Sequence, residues 1–154
     1  MNWDVAIAAK EKQMGVGVLI RDEQGNVITG LSKPVMALYD PASAEALAAL
    51  CAVEFCLEVG IQKFILEGDS LLVVKAFQDP NSKWLRYGQM IEDALLVLGS
   101  FRNWKIQHIK RKTNEVAHGL AKNVTRISSD IVWLEEPPSC IFDIIILEQL
   151  ALSL

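Results

Sequence analysis

The chain has 154 residues, of which 51% are apolar and 22% are charged, and its net charge is −4. This composition excludes an intrinsically disordered chain, and the acidic balance argues against a general polyanion binder. Three cysteines are too few for a disulfide scaffold. We expect Cys51 and Cys56 to be small buried side chains in a reducing, intracellular compartment, nuclear or cytoplasmic.

The first part of the chain predicts three strands joined as an antiparallel meander. Apolar residues alternate with polar ones at the start, and the segment "DEQGN" (22–26) is typical of a turn between two strands. The predicted strands are residues 2–9, 14–21 and 27–38.

From Pro41 onward the apolar spacing changes to that of helices alternating with strands. The predicted helices are residues 41–60, 70–79, 90–101 and 114–125, and the predicted strands are residues 63–68 and 103–111. The last of these helices is expected to have Thr113 or Asn114 as its cap. Helices and strands in this order predict an α/β fold, in which a mixed sheet is covered by helices on both faces.

The most apolar segment is "IFDIIILEQLALSL" (141–154), which contains Asp143 and Glu148. It is too short and too charged to cross a bilayer, so no membrane span is expected. We interpret it as a docking helix or strand, or as a contact surface for a partner. A homodimer contact through this apolar tail is one such arrangement.

Three acids fall at positions where they can meet. Asp4 is on the strand side opposite Trp3, Glu45 is in the first turn of a helix with a stripe of small residues, and Asp69 follows a strand directly. Each has a commoner explanation, namely solvent exposure for Asp4, the helix dipole for Glu45 and helix capping for Asp69. Their coincidence in this element order favours a shared Mg²⁺ site, since clustered carboxylates need a cation and hard oxygen ligands suit Mg²⁺.

Five segments of the chain, taken in order, resemble type 1 ribonuclease H. They are "NWDVAI", "GVGVLIRDEQGNV", "SAEALAAL", "LEGDSLLVV" and "HIKRKTNEVAHGLAK". The similarity is greatest to the reverse-transcriptase-associated version in plant retroelement-derived proteins, and it covers about residues 2–125. The resemblance implies a ribonuclease H-like fold with a five-stranded mixed sheet. It also implies cleavage of the RNA strand of RNA–DNA hybrids with two Mg²⁺ or Mn²⁺ ions.

The resemblance further implies a catalytic, metal-binding role for Asp4, Glu45 and Asp69, and it places His118 at a fourth position where the family has Asp. Neutral imidazole can bind a metal but suits Mg²⁺ poorly. Two interpretations of His118 stay open. In one it contacts the second, more weakly held ion or transfers a proton; in the other it is a surface histidine in a domain that has lost one ligand.

Other positions depart from the family pattern. Members that recognise the RNA 2′-hydroxyl use Asn side chains before the helical Glu and a Gln after the "DS" pair, where this chain has "DPASA" and Leu71. Since the 2′-hydroxyl distinguishes RNA from DNA, hybrid specificity is in question. The family's mobile loop is reduced to "KRKTN", and His108 is expected to be structural rather than catalytic.

A basic region precedes and opens the last helix. The predicted nucleic-acid contacts are Lys105, Lys110, Arg111, Lys112 and Asn114. The alternative is a solvated strand edge protected by cations. Trp84, between Lys83 and Leu85, is interpreted as a half-buried anchor of its connector, with stacking on nucleic acid as the alternative.

Residues 1–125 are therefore predicted to form a ribonuclease H-like domain, and residues 126–154 an extension that packs on the domain or on a partner. The first functional hypothesis is a metal-dependent endonuclease acting on RNA–DNA hybrids. The alternative is a catalytically degenerate nucleic-acid-binding or protein-interaction module, and a remoter one is a nuclease of the same fold that acts on DNA.

Overall fold

The computed structural model describes residues 1–8, 13–36, 40–126, 129–134, 136 and 138–152. Six strands form one mixed sheet in the order β5-β4-β1-β2-β3-β6. The strands are β1 (Asn2–Ala8), β2 (Gln13–Arg21), β3 (Val27–Met36), β4 (Lys63–Gly68), β5 (Asn103–His108) and β6 (Ile131–Leu134). The predicted strand residues 9, 37 and 38 lie outside the described residues.

The antiparallel meander and the mixed sheet are confirmed. β1 pairs antiparallel with β2 and β2 pairs antiparallel with β3, whereas β4 lies parallel to both β1 and β5. Parallel β1 and β4 place Asp4 and Asp69 toward the same end of neighbouring strands. The topology therefore brings two of the three acids into one region.

The sheet has six strands rather than the expected five. The additional strand β6 pairs antiparallel with β3, from Thr29 opposite Leu134 to Ser32 opposite Ile131. An edge strand presents unpaired backbone N–H and C=O groups, and this short apolar segment of the tail satisfies those of β3.

Helices cover both faces of the sheet, as predicted. They are α1 (Pro41–Val59), α2 (Leu71–Gln78), α3 (Gly88–Leu98), α4 (Glu115–Lys122) and α5 (Ser139–Leu152). The larger core lies under α1 and α3 and includes Trp3, and a smaller one lies under α4 and α5 around Leu19, Leu120 and Trp133. The side chain of Asp40 caps α1 by accepting from the Ser43 amide at 3.1 Å, and Gly60 ends the helix at φ 85°.

The tail contributes both a strand and a helix. Ile141 and Ile145 of α5 are buried in the smaller core, and Glu148 forms a partly buried ion pair with Arg21 of β2. Leu147 and Leu150 are 66% and 57% exposed, so they do not extend the core, and Leu154 lies outside the described residues. Within the described ranges, no helix combines the length and apolar character that a bilayer span requires.

Two glycines allow α4 to lie directly on β2. A Cβ atom on Gly15 or Gly17 would overlap backbone carbonyl oxygens of α4, those of Ala121 and Ala117 respectively. Ser32 of β3 adds a hydrogen bond from its hydroxyl to the Leu120 carbonyl at 2.7 Å. This close approach brings the first turns of α4 against β1, where Asp4 lies.

Candidate metal centre

Asp4 is a buried carboxylate in the middle of β1. It is 2% exposed and lies opposite Gly17 of β2. Its neighbour Trp3 points to the other face of the sheet, where the indole packs on Gly68. The expected alternation of Trp3 and Asp4 is therefore confirmed, and the solvent-exposed alternative for Asp4 is wrong.

Glu45 approaches the same point from α1. The small side chains of this helix, among them Ala48, Ala49 and Ala52, are fully buried, so α1 lies close to the sheet. The Oε2 atom of Glu45 is buried and has no hydrogen-bond partner among the described residues. A buried carboxylate oxygen without a partner is costly, which is a first indication that the site accepts a cation.

Asp69 completes the group from the turn between β4 and α2. Ligand oxygens of Asp4, Glu45 and Asp69 all lie within 4.8 Å of one another. The capping explanation of Asp69 is not supported, because the cap residue of α2 is Ser70 and α2 has no side-chain capping bond in the described structure. The predicted convergence of three acids from three separate elements is present.

The electrostatics of the group follow from its burial and its like charges. Burial raises the pKa of Glu45 to about 8, with further upward contributions from the charges of Asp4 and Asp69. A cation would remove both penalties, since it supplies the missing partner and offsets the repulsion. Three carboxylates are also the hard oxygen donors that Mg²⁺ and Mn²⁺ prefer, so the residues present fit a divalent ion.

His118 contacts the acid cluster through Asp4. Its Nδ1 lies 2.7 Å from Asp4 Oδ2, and its side chain is 24% exposed. The histidine follows Ala117, the residue whose carbonyl lies over Gly17. Because its Nδ1 contacts a carboxylate of the cluster, His118 is not an isolated surface histidine.

The residues predicted to contact nucleic acid divide into two groups. Four of them have exposed side chains, namely Lys105, Lys110, Arg111 and Lys112. Asn114 is 1% exposed, and its Nδ2 donates to the Trp3 carbonyl at 2.8 Å. Its prediction as a nucleic-acid contact was wrong, because this amide is buried where α4 joins β1. Asn114 also precedes α4 without making a side-chain capping bond.

The predictions for His108 and Trp84 have different outcomes. The expectation that His108 is structural agrees with its contact, in which Nε2 lies 3.1 Å from the Asp69 carbonyl oxygen. The half-buried position expected for Trp84 was wrong. Its side chain is 79% exposed, with Lys83 Nζ 5.2 Å from the ring centroid.

Two features were not predicted from the sequence, namely the glycines that allow α4 to lie directly on β2 and the structural role of Asn114. A signal for the glycines was present, because "MGVGV" places Gly15 and Gly17 on one side of a strand, the pattern of a close backbone approach. No comparable signal distinguishes Asn114 from an exposed residue at the start of a helix.

A mixed sheet with an antiparallel meander, helices on both faces and three converging acids defines the ribonuclease H-like class of proteins. The model of the reverse transcriptase-like family matches residues 2–124. The chain belongs to this family.

Solved structures agree with this assignment. RNase H1 from the halophilic archaeon Halobacterium salinarum is 27% identical, with a TM-score of 0.71, over 81% of this chain and 95% of that one. LC11-RNase H1, isolated from compost by a metagenomic approach, is 22% identical with a TM-score of 0.69, over 79% and 91% of the two chains. The N-terminal RNase H domain of a Mycobacterium tuberculosis protein has the same fold at 16% identity, with a TM-score of 0.65 over 80% and 90%. A comparison with curated proteins gives no match.

Proposed function

We propose that this protein is a divalent-metal-dependent endonuclease that hydrolyses the RNA strand of RNA–DNA hybrids. The observation that carries the proposal is the meeting of Asp4, Glu45 and Asp69 within 4.8 Å. Membership of the reverse transcriptase-like family supports it. The choice of substrate is supported by LC11-RNase H1, a 22% identical protein of the same fold that has been crystallised with an RNA/DNA hybrid.

Asp4, Glu45 and Asp69 would hold the metal, which we propose to be two Mg²⁺ or Mn²⁺ ions. When bound, such ions lower the pKa of water and stabilise the charge that develops on the phosphodiester oxygens. The protein's own contribution is to hold three carboxylates together in a partly dry site against their mutual repulsion. The buried Oε2 of Glu45, which has no hydrogen-bond partner among the described residues, would gain a partner when a cation is present.

His118 would have an auxiliary role in this site. Its hydrogen bond to Asp4 Oδ2 would fix the direction of that carboxylate, which lies within reach of Glu45 and Asp69. In this proposal His118 acts on the metal through Asp4.

The exposed cations of the β5–α4 region would bind the phosphate backbone of the substrate. Lys110, Arg111 and Lys112 lie between β5 and α4, the helix that carries His118. Their side chains are exposed, as phosphate contact requires. The chain as a whole has a net charge of −4 and would repel a polyanion elsewhere on its surface. This local group of cations would therefore direct a nucleic acid to one side of the protein.

The test is a cleavage assay of the purified protein on labelled RNA–DNA hybrid, double-stranded RNA and double-stranded DNA, with Mn²⁺ or with a chelator. We expect metal-dependent cleavage of the RNA strand of the hybrid. Asp69→Asn should reduce the rate by more than the roughly 10- to 100-fold that loss of an outer-shell partner costs at a metal site. Asp143→Asn, which changes an exposed acid on α5, should leave the rate unchanged.

Three outcomes would contradict the proposal. Cleavage that persists in chelator would exclude metal dependence. Equal rates for Asp69→Asn and the parent would show that the acid cluster does not take part in the reaction. Tight binding of the hybrid without cleavage would instead favour a degenerate binding module.

A further inference from the structure

His108 joins the end of β5 to the turn that carries Asp69. It pairs with Gly68 in the parallel register of β4 and β5, and its Nε2 lies 3.1 Å from the Asp69 carbonyl oxygen. The next residue, Ile109, donates its backbone N–H to the Gly68 carbonyl at 3.0 Å. A carbonyl oxygen accepts only, so Nε2 is the donor in the first contact. The carbonyls of Gly68, the last residue of β4, and of Asp69 are thus held by His108, the last residue of β5, and by the residue that follows it.

The turn has few other side-chain restraints within the described structure. Ser70 caps α2 without a side-chain hydrogen bond, and Gly68 contributes no side chain. Asp69 itself lies among carboxylates that repel it. A turn that holds a carboxylate this close to two other carboxyl groups needs a fixed backbone, and the His108 ring supplies a side-chain hydrogen bond to the peptide of Asp69.

We propose that His108 is a positioning residue for the metal centre. It fixes the Asp69 peptide and thereby holds the Asp69 carboxylate within reach of Asp4 and Glu45. His108 is not itself a ligand, because the described residues that share the candidate ion site are the three acids and its Nε2 is directed at a carbonyl. This inference rests on the proposed function in one respect, since it requires that the acid cluster binds a divalent ion.

The experiment compares the affinity of the full-length protein for Mn²⁺ alone, measured by calorimetry, among variants at one position. His108→Leu removes the donor but keeps a side chain of similar size, whereas His108→Gln keeps an N–H donor. We expect His108→Leu to weaken Mn²⁺ binding by about threefold to tenfold, the range of a single hydrogen bond, and His108→Gln to recover most of the loss. Asn103→Leu makes the same type of change at the exposed start of β5 and should leave the affinity unchanged.

Urea unfolding of each variant separates positioning from a general loss of structure. The free energy of unfolding of His108→Leu should lie within about 1 kcal/mol of that of Asn103→Leu, because His108→Leu removes only one exposed hydrogen bond. Unchanged Mn²⁺ affinity in His108→Leu, or equal weakening in His108→Leu and His108→Gln, would overturn the positioning role alone. If the parent protein bound Mn²⁺ no better than Asp69→Asn, both the proposed metal centre and the positioning role of His108 would be contradicted.

Discussion

Glu45 makes the stability of the metal-free protein depend on pH between mildly acidic and slightly alkaline conditions. Burial, followed by the charges of Asp4 and Asp69, raises its pKa from the ordinary value of 4.5 to about 8. A carboxyl group with a raised pKa in the folded state stabilises the fold while it is protonated. That contribution is fully present below pH 4.5 and is lost as the pH rises through 8, so the affected window is about pH 4.5 to 8.

The size of the effect follows from the two pKa values. A difference of one pKa unit corresponds to about 1.4 kcal/mol, so values of 4.5 and about 8 set an upper value of roughly 5 kcal/mol for the loss of stability. Glu45 is only partly buried, and water and counterions screen part of the repulsion. We therefore expect the free energy of unfolding to fall by about 2 to 4 kcal/mol across the window because of this residue.

The assay is urea unfolding in the presence of a chelator at several values between pH 4.5 and 8.5, for the parent and for Glu45→Gln. Gln has the size of Glu and stays neutral, so the variant should match the parent at the acidic end and exceed its stability by the stated amount at pH 8.5. Glu54→Gln changes an exposed carboxylate on the same helix and should show no such trend. A difference between parent and Glu45→Gln that is flat with pH would refute the reasoning.

Two further predictions concern packing and specificity. Gly17→Ala places a methyl group against the backbone of Ala117, so it should reduce the free energy of unfolding by about 1 to 3 kcal/mol or more. Gly99→Ala, whose nearest neighbour would be a carbonyl oxygen 3.2 Å away, should change it by less than about 1 kcal/mol in the same urea titration. Leu71 is 47% exposed beside Asp69 and cannot hydrogen-bond a 2′-hydroxyl, so Leu71→Gln should raise the preference for hybrid over DNA duplex by about twofold to tenfold. Competition cleavage measures this preference, and an equal gain from Leu72→Gln would contradict a specific role for Leu71.

The parts of the fold that the sequence predicts well are those with a strong local pattern. Alternating apolar residues defined the meander, and the change of period at Pro41 located α1. The acid cluster was also predictable, because each acid occupies a defined place on its own element, namely a strand side, a helix face and a strand end. Their meeting follows from the topology once the element order is known.

The missed features depend on contacts between distant residues. Asn114 donates to the Trp3 carbonyl, 111 residues away, and nothing in its neighbours distinguishes this buried amide from an exposed one. The strand β6 has only four residues and pairs with β3 across the whole intervening chain. Predicting it requires knowing that the outer edge of β3 is free, which is a property of the assembled sheet.

The attachment of α4 determines where His118 lies relative to the acid cluster. Gly17 allows the helix to lie on β2, and the Asn114 amide donates a hydrogen bond to β1, so the residue at position 118 lies next to Asp4. A fourth carboxylate there would add like charge to a cluster that already repels itself and would make the metal-free fold more dependent on a cation. His118 instead gives Asp4 a hydrogen-bond partner at 2.7 Å, which offsets part of that repulsion before any ion binds. Compared with a fourth carboxylate, a histidine at this position therefore makes the metal-free site less dependent on a bound cation.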